Sequence, residues 1–446
     1  MKGGIMHKTM NIRSIFKSAT RQLHAKVSAT SQTVVRPALS TPSNLKPYNL
    51  SSVDVHTPNI YIPIVLFFPC PSASAHTLAN KANYADRLKR SLAQTLTTYY
   101  PFAGRLSSSG TYVDCNDHGV EFLESQVTCT MSEILENPRN HSSLSPLFRP
   151  GSVWNALNIN NNNSSPLMIV QLNHFECGGI AMAVSVTHRI TDGCGLCTFL
   201  AHWASVCSQS GEQVEPHYVS RPYESVLTPI ELYSSENNWI TKRFVFHNSN
   251  LANIKSMVSK QGLVENPTRV EVLTALLYKS SIAASQSGFS PSVLIQPADM
   301  RARLMIPNSA VGNFYWWFMT QVRNEGEMTL HALNNQIKKR KMELRNMDLS
   351  TMDDAKLLGL TVMEFIKQKY EIYMCSSLCN FPLNKVDFGW GKPIKVSLAE
   401  GGWPNKFVLM DTPNGDGIEA MVSLDEETMS RFESDENILT SASILQ

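Results

Sequence analysis

The stretch that decides the fold runs from Ile180 to Gly193 and consists of the residues IAMAVSVTHRITDG. Large apolar side chains alternate with small ones up to His188, which is the period of two that an extended strand produces. A strand with one large apolar face and one small face is expected to be buried on both sides. His188 lies at the end of this strand, in register with the large face, and Asp192-Gly193 breaks the strand.

The sequence on either side of this strand predicts a mixed α/β protein. Apolar residues at helical spacing follow the turn, from Leu196 to Val206, and predict a helix there. Earlier segments predict strands at Tyr61–Phe68 and Met168–Phe175 and a helix at Ala85–Tyr100. Later segments predict helices near Val270–Ala284, Thr329–Arg345 and Thr361–Tyr373, a strand at Ser292–Gln296, a hairpin of Lys406–Asp411 with Ile418–Leu424, and a last helix from about Asp425.

The length and a change in composition predict two domains. The chain has 446 residues, enough for two large domains. From about Ser208 to Leu232 the periodic pattern gives way to Ser, Gly, Pro and Glu, as is typical of a linker. We therefore expect an N-terminal domain at residues 36–207, a crossover linker at 208–235 and a C-terminal domain at 236–446.

The first 35 residues differ from the rest of the chain in charge. Eight Lys or Arg residues fall between Met1 and Val53, and the first acidic residue is Asp54. An acid-poor, basic and Ser-rich start is typical of organelle transit peptides. A disordered tail can have the same composition. We therefore expect residues 1–35 to be either a disordered extension or a targeting segment.

Composition excludes several classes of function. A net charge of +2 gives no basic domain of the kind that binds nucleic acid. No window reaches the roughly 18 consecutive apolar residues of a membrane span. Nine cysteines at scattered positions are typical of a reduced, intracellular protein with free thiols. The sequence therefore predicts a protein without nucleic-acid or membrane partners.

His188 and Asp192 form the first candidate site. The ordinary pKa of histidine suits proton abstraction near neutral pH, and a strand end followed by a turn can face a cleft. A metal site would need at least a third ligand, and only His174 lies on a neighbouring predicted strand. A purely structural histidine in a turn has the same local pattern. These residues alone leave the alternatives open.

Two further patterns need an interpretation. Asp387-Phe388-Gly389-Trp390-Gly391 places two glycines around an indole, which suggests a tight loop that another surface approaches closely. The pair Cys194 and Cys197 has the spacing of a redox motif but falls within the predicted helix after the histidine turn. We interpret these two cysteines as structural.

Taken together, these motifs resemble the plant BAHD acyltransferase family. His-x-x-x-Asp at residues 188–192 and Asp-Phe-Gly-Trp-Gly at 387–391 are the two signatures, and the second is highly specific. Three further segments match in order and spacing: Tyr100-Pro101-Phe102-Ala103-Gly104-Arg105, Asp299-Met300-Arg301 with Gly312-Asn313, and Thr268-Arg269-Val270-Glu271. The resemblance extends from about residue 33 to the end of the chain.

The resemblance implies a fold and a mechanism. The fold would be α/β, with two chloramphenicol-acetyltransferase-like domains joined by a crossover loop and an active-site channel at their interface. His188 would be the general base that takes a proton from the acceptor hydroxyl. Asp192 would pair with Arg301 and hold the turn, rather than contact the imidazole as the acid of a Ser-His-Asp triad does.

The resemblance also implies roles for the second signature and for coenzyme A binding. Asp387 belongs to the signature together with the catalytic histidine, and Gly389, Trp390 and Gly391 would shape its loop. In some family members the tryptophan N–H has been proposed to bind the oxyanion, which is an alternative role for Trp390. Thr268 and Arg269, at a helix start, are the candidates for contacting acyl-CoA phosphates.

Details near the two signatures resemble a branch of the family that mostly uses acetyl-CoA and often acylates alkaloids. We therefore expect O-acetylation of an alkaloid or a similar plant metabolite, with acetyl-CoA or another acyl-CoA as co-substrate and neither a bound cofactor nor a metal. Malonyl or branched short-chain transfer, another alcohol acceptor, a different activated donor and a non-catalytic binding relative are the alternatives. The resemblance further implies a cytoplasmic monomer, with an organelle as the alternative location.

Overall fold

The computed structural model describes residues 26–70, 78–136, 144–158, 165–211, 214–219, 239–259, 266–285, 289–348 and 362–444. The strands of the first half are β1 Val27–Val35, β2 Tyr48–Asn49, β3 Tyr61–Phe68, β4 Arg105–Leu106, β5 Tyr112–Asp114, β6 Val120–Val127, β7 Met168–Phe175, β8 Ile180–Thr187 and β9 His217–Tyr218. Those of the second half are β10 Trp239–His247, β11 Ser292–Asp299, β12 Ala310–Val311, β13 Tyr315–Val322, β14 Glu371–Ser377, β15 Lys395–Leu398, β16 Lys406–Asp411, β17 Gly417–Asp425 and β18 Ser443–Ile444.

Helices alternate with these strands and cover the sheets. They are α1 Ser52–His56, α2 Leu78–Thr98, α3 Met131–Leu135, α4 Gly193–Ser208, α5 Asn248–Ser259, α6 Arg269–Ala284, α7 Arg301–Leu304, α8 Leu330–Asn346, α9 Glu426–Glu433 and α10 Glu436–Ser441. Residues 362–367 are also helical. Within the described ranges, no helix is both long enough and apolar enough to cross a bilayer.

Two large mixed sheets form the framework, as the α/β prediction requires. The first has the order β1-β6-β7-β8-β3-β15, and the second has the order β13-β11-β14-β16-β17-β10-β18. β15 comes from the C-terminal half of the chain but pairs antiparallel with β3 in the first sheet. The two sheets therefore do not divide at residue 236, because the second half of the chain returns one strand to the first sheet.

The central strand of the first sheet confirms the pattern from which the sequence analysis began. All residues of β8 are buried. Its large side chains, Met182 and Val184 among them, belong to a core that includes Leu88 of α2 and Trp203 of α4. Its small side chains, Ala181 and Ala183, belong to a separate core on the other face. β8 is buried on both sides because each face meets its own hydrophobic layer.

Two predictions about the ends of elements are wrong. Residues 1–35 are not wholly a disordered extension, since Val27–Val35 forms β1 and pairs antiparallel with β6; residues 1–25 lie outside the described residues. The predicted helix at Thr361–Tyr373 gives way to β14, which begins at Glu371. β14 lies between β11 and β16 and forms parallel ladders with both. Pairing with distant strands overrides the local helical pattern there.

The predicted crossover lies only partly within the described residues. α4 ends at Ser208, where the linker was expected to begin, and residues 212–213 and 220–238 lie outside the described ranges. The short strand β9, in the middle of the crossover, pairs in parallel with β12 of the second half. The crossover therefore also joins the two halves through a backbone ladder. The boundaries of the two predicted domains stay predictions.

Candidate active site

His188 directly follows the last residue of β8 and is held through its backbone. Its N–H donates a hydrogen bond to the carbonyl of Ile60 at 2.9 Å. Its own carbonyl accepts a hydrogen bond from Asn313 Nδ2 at 2.7 Å. The first bond comes from the same half of the chain and the second from the other half. The position of the imidazole therefore depends on how the two halves fit together.

Asp192 closes the turn after His188 and joins it to the second half. The carboxylate accepts the N–H of Gly195 at 2.9 Å as the N-cap of α4. It also accepts hydrogen bonds from both terminal nitrogens of Arg301, at 2.8 and 2.9 Å. Arg301 is only 1% exposed, so this bidentate ion pair is buried. The predicted pairing of Asp192 with Arg301 is confirmed, and these bonds join the carboxylate to Arg301 and to the start of α4.

Asn313 and Asp54 form a second buried link behind the histidine. Asn313 donates from its backbone N–H and from Nδ2 to Asp54 Oδ1, at 2.7 and 2.8 Å. Asp54 is also the capping-box residue of α1, with Ser51 as its partner. Burial raises the pKa of Asp54, while hydrogen bonds from Ser51 and Asn313 act against that rise. The link ties α1, the strand end at His188 and the segment before β13 together.

The surroundings of His188 favour a neutral imidazole. Burial lowers its pKa below the ordinary 6.5, although the negative charge of Asp192 acts in the opposite direction. Among the described residues, no hydrogen bond or ion pair joins the ring to a carboxylate. The ring of Tyr315 lies beside it, with the ring centroids 5.8 Å apart. A neutral, half-buried imidazole near pH 7 is the form that a general base requires.

A cavity of about 440 Å³ lies in front of His188. Side chains from both sheets line it: Ile62 and Ile64 on β3, Leu398 on β15, Ile295 and Pro297 on β11, Tyr315 to Trp317 on β13, Met374, Ser376 and Ser377 on β14, and Lys406 and Val408 on β16. Most of these side chains are apolar or aromatic, as is usual for a small-molecule site. A base at the edge of such a cavity can act on a bound hydroxyl.

The structure brings together three of the site residues that the sequence analysis predicted. His188, Asp192 and Arg301 all line the cavity. Asp387, Gly389, Trp390, Gly391, Thr268 and Arg269 are not among the described residues that line it. The first signature is therefore part of the cavity wall, and the second signature lies elsewhere.

The Asp387 loop packs against the helices of the first half. Asp387 Oδ1 accepts the N–H groups of Gly389 and Gly391, at 2.7 and 2.9 Å. Arg87 of α2 donates to the carbonyl of Phe388 at 3.2 Å. Gly389 has φ of +96°, and an added Cβ there would come within 2.7 Å of the Arg87 guanidinium. These contacts support the architectural role of Asp387.

The indole of Trp390 is held by contacts with neighbouring aromatic rings and with Arg87. Its ring stacks on Phe388 with the centroids 5.6 Å apart, and it meets Tyr84 edge-on at 5.0 Å. The guanidinium of Arg87 lies over the same indole, 5.2 Å from its centroid. None of these contacts brings the indole N–H to His188. The alternative role of Trp390 in binding the oxyanion has no support from this geometry.

The two candidates for coenzyme A contact lie at the start of α6. Thr268 is the N-cap residue, and its hydroxyl accepts the N–H of Glu271 at 3.1 Å. Arg269 donates to Asn248 at 2.7 Å and to Asp411 at 3.2 Å. The Arg269 side chain is about one-third exposed. A phosphate at this position would have to share Arg269 with Asp411.

The cysteines and the metal-ligating residues show no second chemistry. None of the nine cysteines, all of which lie in the described ranges, forms a disulfide. Cys194 and Cys197 lie in the first turns of α4, and burial raises the pKa of both thiols, Cys194 to about 11. Across the described residues, no group of three His, Cys, Asp or Glu side chains is arranged to hold a metal ion. The structural interpretation of Cys194 and Cys197 is therefore supported.

Sequence reasoning missed several residues of the cavity. Trp154, Trp403 and Lys406 line it but carry no recognised motif. Lys406 did have a detectable signal, because it shares the inward face of a predicted strand with Val408 two residues later. A lysine on an apolar strand face is unusual. Trp154 and Trp403 lie 249 residues apart in the sequence, with ring centroids 6.0 Å apart, and no local pattern connects them.

Comparisons with known proteins identify the family of this chain. A model of the Transferase family matches residues 25–439. The acyltransferase Pun1 of Capsicum frutescens is 35% identical over 434 residues, covering 93% of this chain and 97% of that protein. Deacetylvindoline O-acetyltransferase of Catharanthus roseus is 32% identical over 445 residues, covering 92% and 96%. The crystal structure of vinorine synthase superposes with a TM-score of 0.78 at 28% identity, covering 94% and 98%. The chain therefore belongs to the Transferase family, the BAHD acyltransferases, which use acyl-CoA as co-substrate.

Proposed function

We propose that this protein transfers an acetyl group from acetyl-CoA to a hydroxyl of an alkaloid or a similar plant metabolite, with His188 as the general base. The observation that carries the proposal is the position of His188 in the wall of a largely apolar cavity between the two sheets, where burial lowers the pKa of its imidazole. The similarity to deacetylvindoline O-acetyltransferase supports the acyl group and the class of acceptor.

The reaction follows from the position of the base. His188 takes the proton from the acceptor hydroxyl while the oxygen attacks the thioester carbonyl. The resulting tetrahedral intermediate collapses, the carbon–sulfur bond breaks, and the imidazolium returns the proton to the leaving thiolate. The products are the ester and free coenzyme A, so protons and electrons balance. General base catalysis of this kind contributes about 10²–10⁴-fold to the rate.

Asp192, Arg301, Asn313 and Asp54 act as positioning residues in this proposal. They hold the backbone on both sides of His188, and the two carboxylates are bound by Arg301 and Asn313 rather than by the ring. The imidazole therefore keeps an accessible nitrogen for the acceptor hydroxyl. Their effect on the rate acts through the orientation of His188.

We also propose that the start of α6 contacts the phosphates of coenzyme A. Backbone N–H groups at a helix N-terminus and a partly exposed arginine favour an anion. Arg269→Ala is expected to raise the KM for acetyl-CoA with little change in kcat. A monomeric state and a cytoplasmic location stay predictions of the resemblance.

The test of the proposed function compares wild type with His188→Ala. Purified protein is incubated with acetyl-CoA and a panel of alkaloid alcohols, and thiol release and product mass are measured. Acceptor-dependent thiol release with an acetylated product is expected in the wild type, with kcat about 10²–10⁴-fold lower in His188→Ala. His247→Ala, which removes an exposed imidazole outside the cavity, is the matched control. Equal rates in wild type and His188→Ala would contradict the role of the base.

A further inference from the structure

Lys406 places a buried ammonium group in the wall of the cavity. Lys406 is only 4% exposed, and it lies at the start of β16, where it lines the same cavity as His188. Nζ is 3.9 Å from the ring centroid of Trp154 and 5.5 Å from that of Trp403. It donates one hydrogen bond, to the carbonyl of Gly401 at 2.6 Å. The two indoles and one carbonyl thus surround the charge.

The backbone around Lys406 is shaped to admit this side chain. Gly401 and Gly402 have φ of +116° and +93°. A Cβ at Gly402 would lie 2.5 Å from Nζ of Lys406, and one at Gly401 would lie 3.0 Å from the Trp154 ring. Trp154 itself has φ of +54° and is anchored by its indole N–H on the carbonyl of Ala399. Lys406 therefore lies in a pocket that larger residues would close.

No carboxylate among the described residues pairs with Lys406. Glu400, which precedes the glycines, is bound by Arg243 at 2.9 Å and by the backbone N–H of Leu144 at 2.6 Å. Glu419 on the neighbouring strand is bound by Arg243 and Lys395. The ladder partners of Lys406 on β14 and β17 are Met374 and Ser423, which carry no charge.

The acids of the cavity wall are also occupied. Asp192 and Asp299 both accept hydrogen bonds from Arg301. The other titratable side chains of the wall are His56, His188, Cys194, Cys197 and Tyr315, and none of them is a carboxylate. A buried cation normally has a paired anion, because an unpaired charge is costly to remove from water. Burial lowers the pKa of Lys406 to about 7, which is the expected response to a missing partner.

We propose that Lys406 binds a carboxylate carried by the substrate. An ammonium has three N–H donors, and Gly401 uses one of them, so two remain for carboxylate oxygens in the cavity. Contact with two indole faces stabilises the charge but supplies no hydrogen-bond acceptor for these donors. The proposal rests on acyl transfer by His188 but not on the acetyl group, and it narrows the substrate pair to one that carries an acidic group: a carboxylate on the acceptor is compatible with acetyl transfer, whereas a carboxylate on the acyl chain would replace acetyl.

The carboxylate has two sources, which share the same chemistry. It belongs either to the acyl chain, as in malonyl-CoA, or to the acceptor alcohol. A protonated amine next to Lys406 is disfavoured, because two cations would meet in a cavity wall whose described acids are already paired.

The experiment measures binding by titration calorimetry in matched pairs. Malonyl-CoA is compared with acetyl-CoA, and indole-3-lactate is compared with its methyl ester, so that each pair differs in one carboxylate. Wild type is tested beside Lys406→Met and Lys406→Arg, with Lys392→Met as the same change at an exposed lysine. The expected result is a preference of about tenfold or more for the acid in one pair, lost in Lys406→Met and kept in Lys392→Met.

Each outcome is decisive. A preference for malonyl-CoA assigns the carboxylate to the acyl chain, and a preference for indole-3-lactate assigns it to the acceptor. No preference in either pair would overturn the proposal, as would a preference that Lys406→Met leaves intact. Partial retention in Lys406→Arg, which keeps the charge, would show that charge rather than packing is responsible.

A second measurement keeps the proposal testable if Lys406→Met does not fold. Carboxylate binding requires the protonated amine, so the wild-type preference is expected to decline as pH rises through about 7. A preference that is constant from pH 6 to 9 would contradict the role of Lys406. These binding measurements are independent of turnover. Carboxylate binding without thiol release would leave Lys406 assigned and reject the acyltransferase function, whereas thiol release without a carboxylate preference would do the reverse.

Discussion

Two loops of this protein share one local feature, an aspartate that accepts hydrogen bonds from glycine N–H groups, but they differ in what else the aspartate contacts. In the turn after β8, Asp192 accepts the N–H of Gly195, and in the second signature Asp387 accepts the N–H groups of Gly389 and Gly391. Asp192 also binds buried Arg301 from the other half of the chain. Asp387 has no ion pair among the described residues, and its loop contacts α2 and the end of α4 in the first half.

The difference shows that an aspartate capping glycines does not by itself indicate a catalytic role. What distinguishes the first loop is its connection across the two halves and its place in the cavity wall. What distinguishes the second is close packing of its backbone against helices. Changes in the first loop should therefore lower both activity and stability, and changes in the second loop should lower stability alone.

The largest effect is expected from removing the two aspartates in turn. Asp192→Ala leaves the Arg301 guanidinium buried without its partner, which should lower the free energy of unfolding by about 3–5 kcal/mol. Asp387→Ala removes an acceptor from a half-buried loop and should cost about 1–2 kcal/mol. Urea unfolding of both variants and kcat at a temperature where both are folded provide the measurement. Equal losses of stability would remove the proposed difference between the loops.

The second prediction concerns the glycines of the Asp387 loop. Gly389→Ala combines strain at φ of +96° with a Cβ 2.7 Å from Arg87 and 3.3 Å from Ser208, and about 2–3 kcal/mol of destabilisation is expected. Gly391→Ala is the control, because it has the same kind of φ, +103°, but no atom within 4 Å of the added Cβ. It should cost about 1 kcal/mol. Thermal unfolding of both variants distinguishes packing from strain, and equal losses would assign the effect to strain alone.

The third prediction is a pH profile that depends on the first loop alone. The base must be neutral, and burial lowers the pKa of His188, so kcat/KM should stay constant down to below pH 6.5. Below the shifted pKa it should fall about tenfold per pH unit. Asp387→Asn should leave this profile unchanged, since Asp387 is outside the cavity wall. A loss of activity on the acid side that is already half complete at or above pH 7 would contradict the proposed electrostatics of His188.

The smallest effect is expected at Trp390. Trp390→Phe keeps an aromatic ring between Phe388 and Arg87 but removes the indole N–H. Because the indole lies outside the cavity wall, kcat should change by less than about threefold. Loss of an oxyanion donor typically lowers kcat by about 10²–10³. A decrease of that size, with unchanged thermal stability, would restore the oxyanion role that the geometry does not support.

Much of the fold was predictable because its strands carry strong local patterns. β7 was predicted with its observed ends, and the two faces of β8 were assigned correctly to large and small side chains. β14 was not, because its strand conformation depends on parallel partners more than 30 residues distant along the chain. β1 was missed because its polar, exposed residues have no apolar period, although β6 pairs with it along its length.

The sequence alone determined which residues could carry the chemistry: a histidine at the end of a doubly buried strand, an aspartate that starts the next helix, and a loop of glycines around an indole. Those features depend on neighbours in the chain, so a single sequence contains them. The family resemblance implied the pairing of Asp192 with Arg301, which the structure shows, but only the tertiary structure decided that Asp387 lies outside the cavity wall. It alone placed Lys406 between Trp154 and Trp403. The physical reason is that Trp154 lies 252 residues before Lys406 and Asp192 lies 109 residues before Arg301, so that only the packing of the two sheets against each other sets the distances between them.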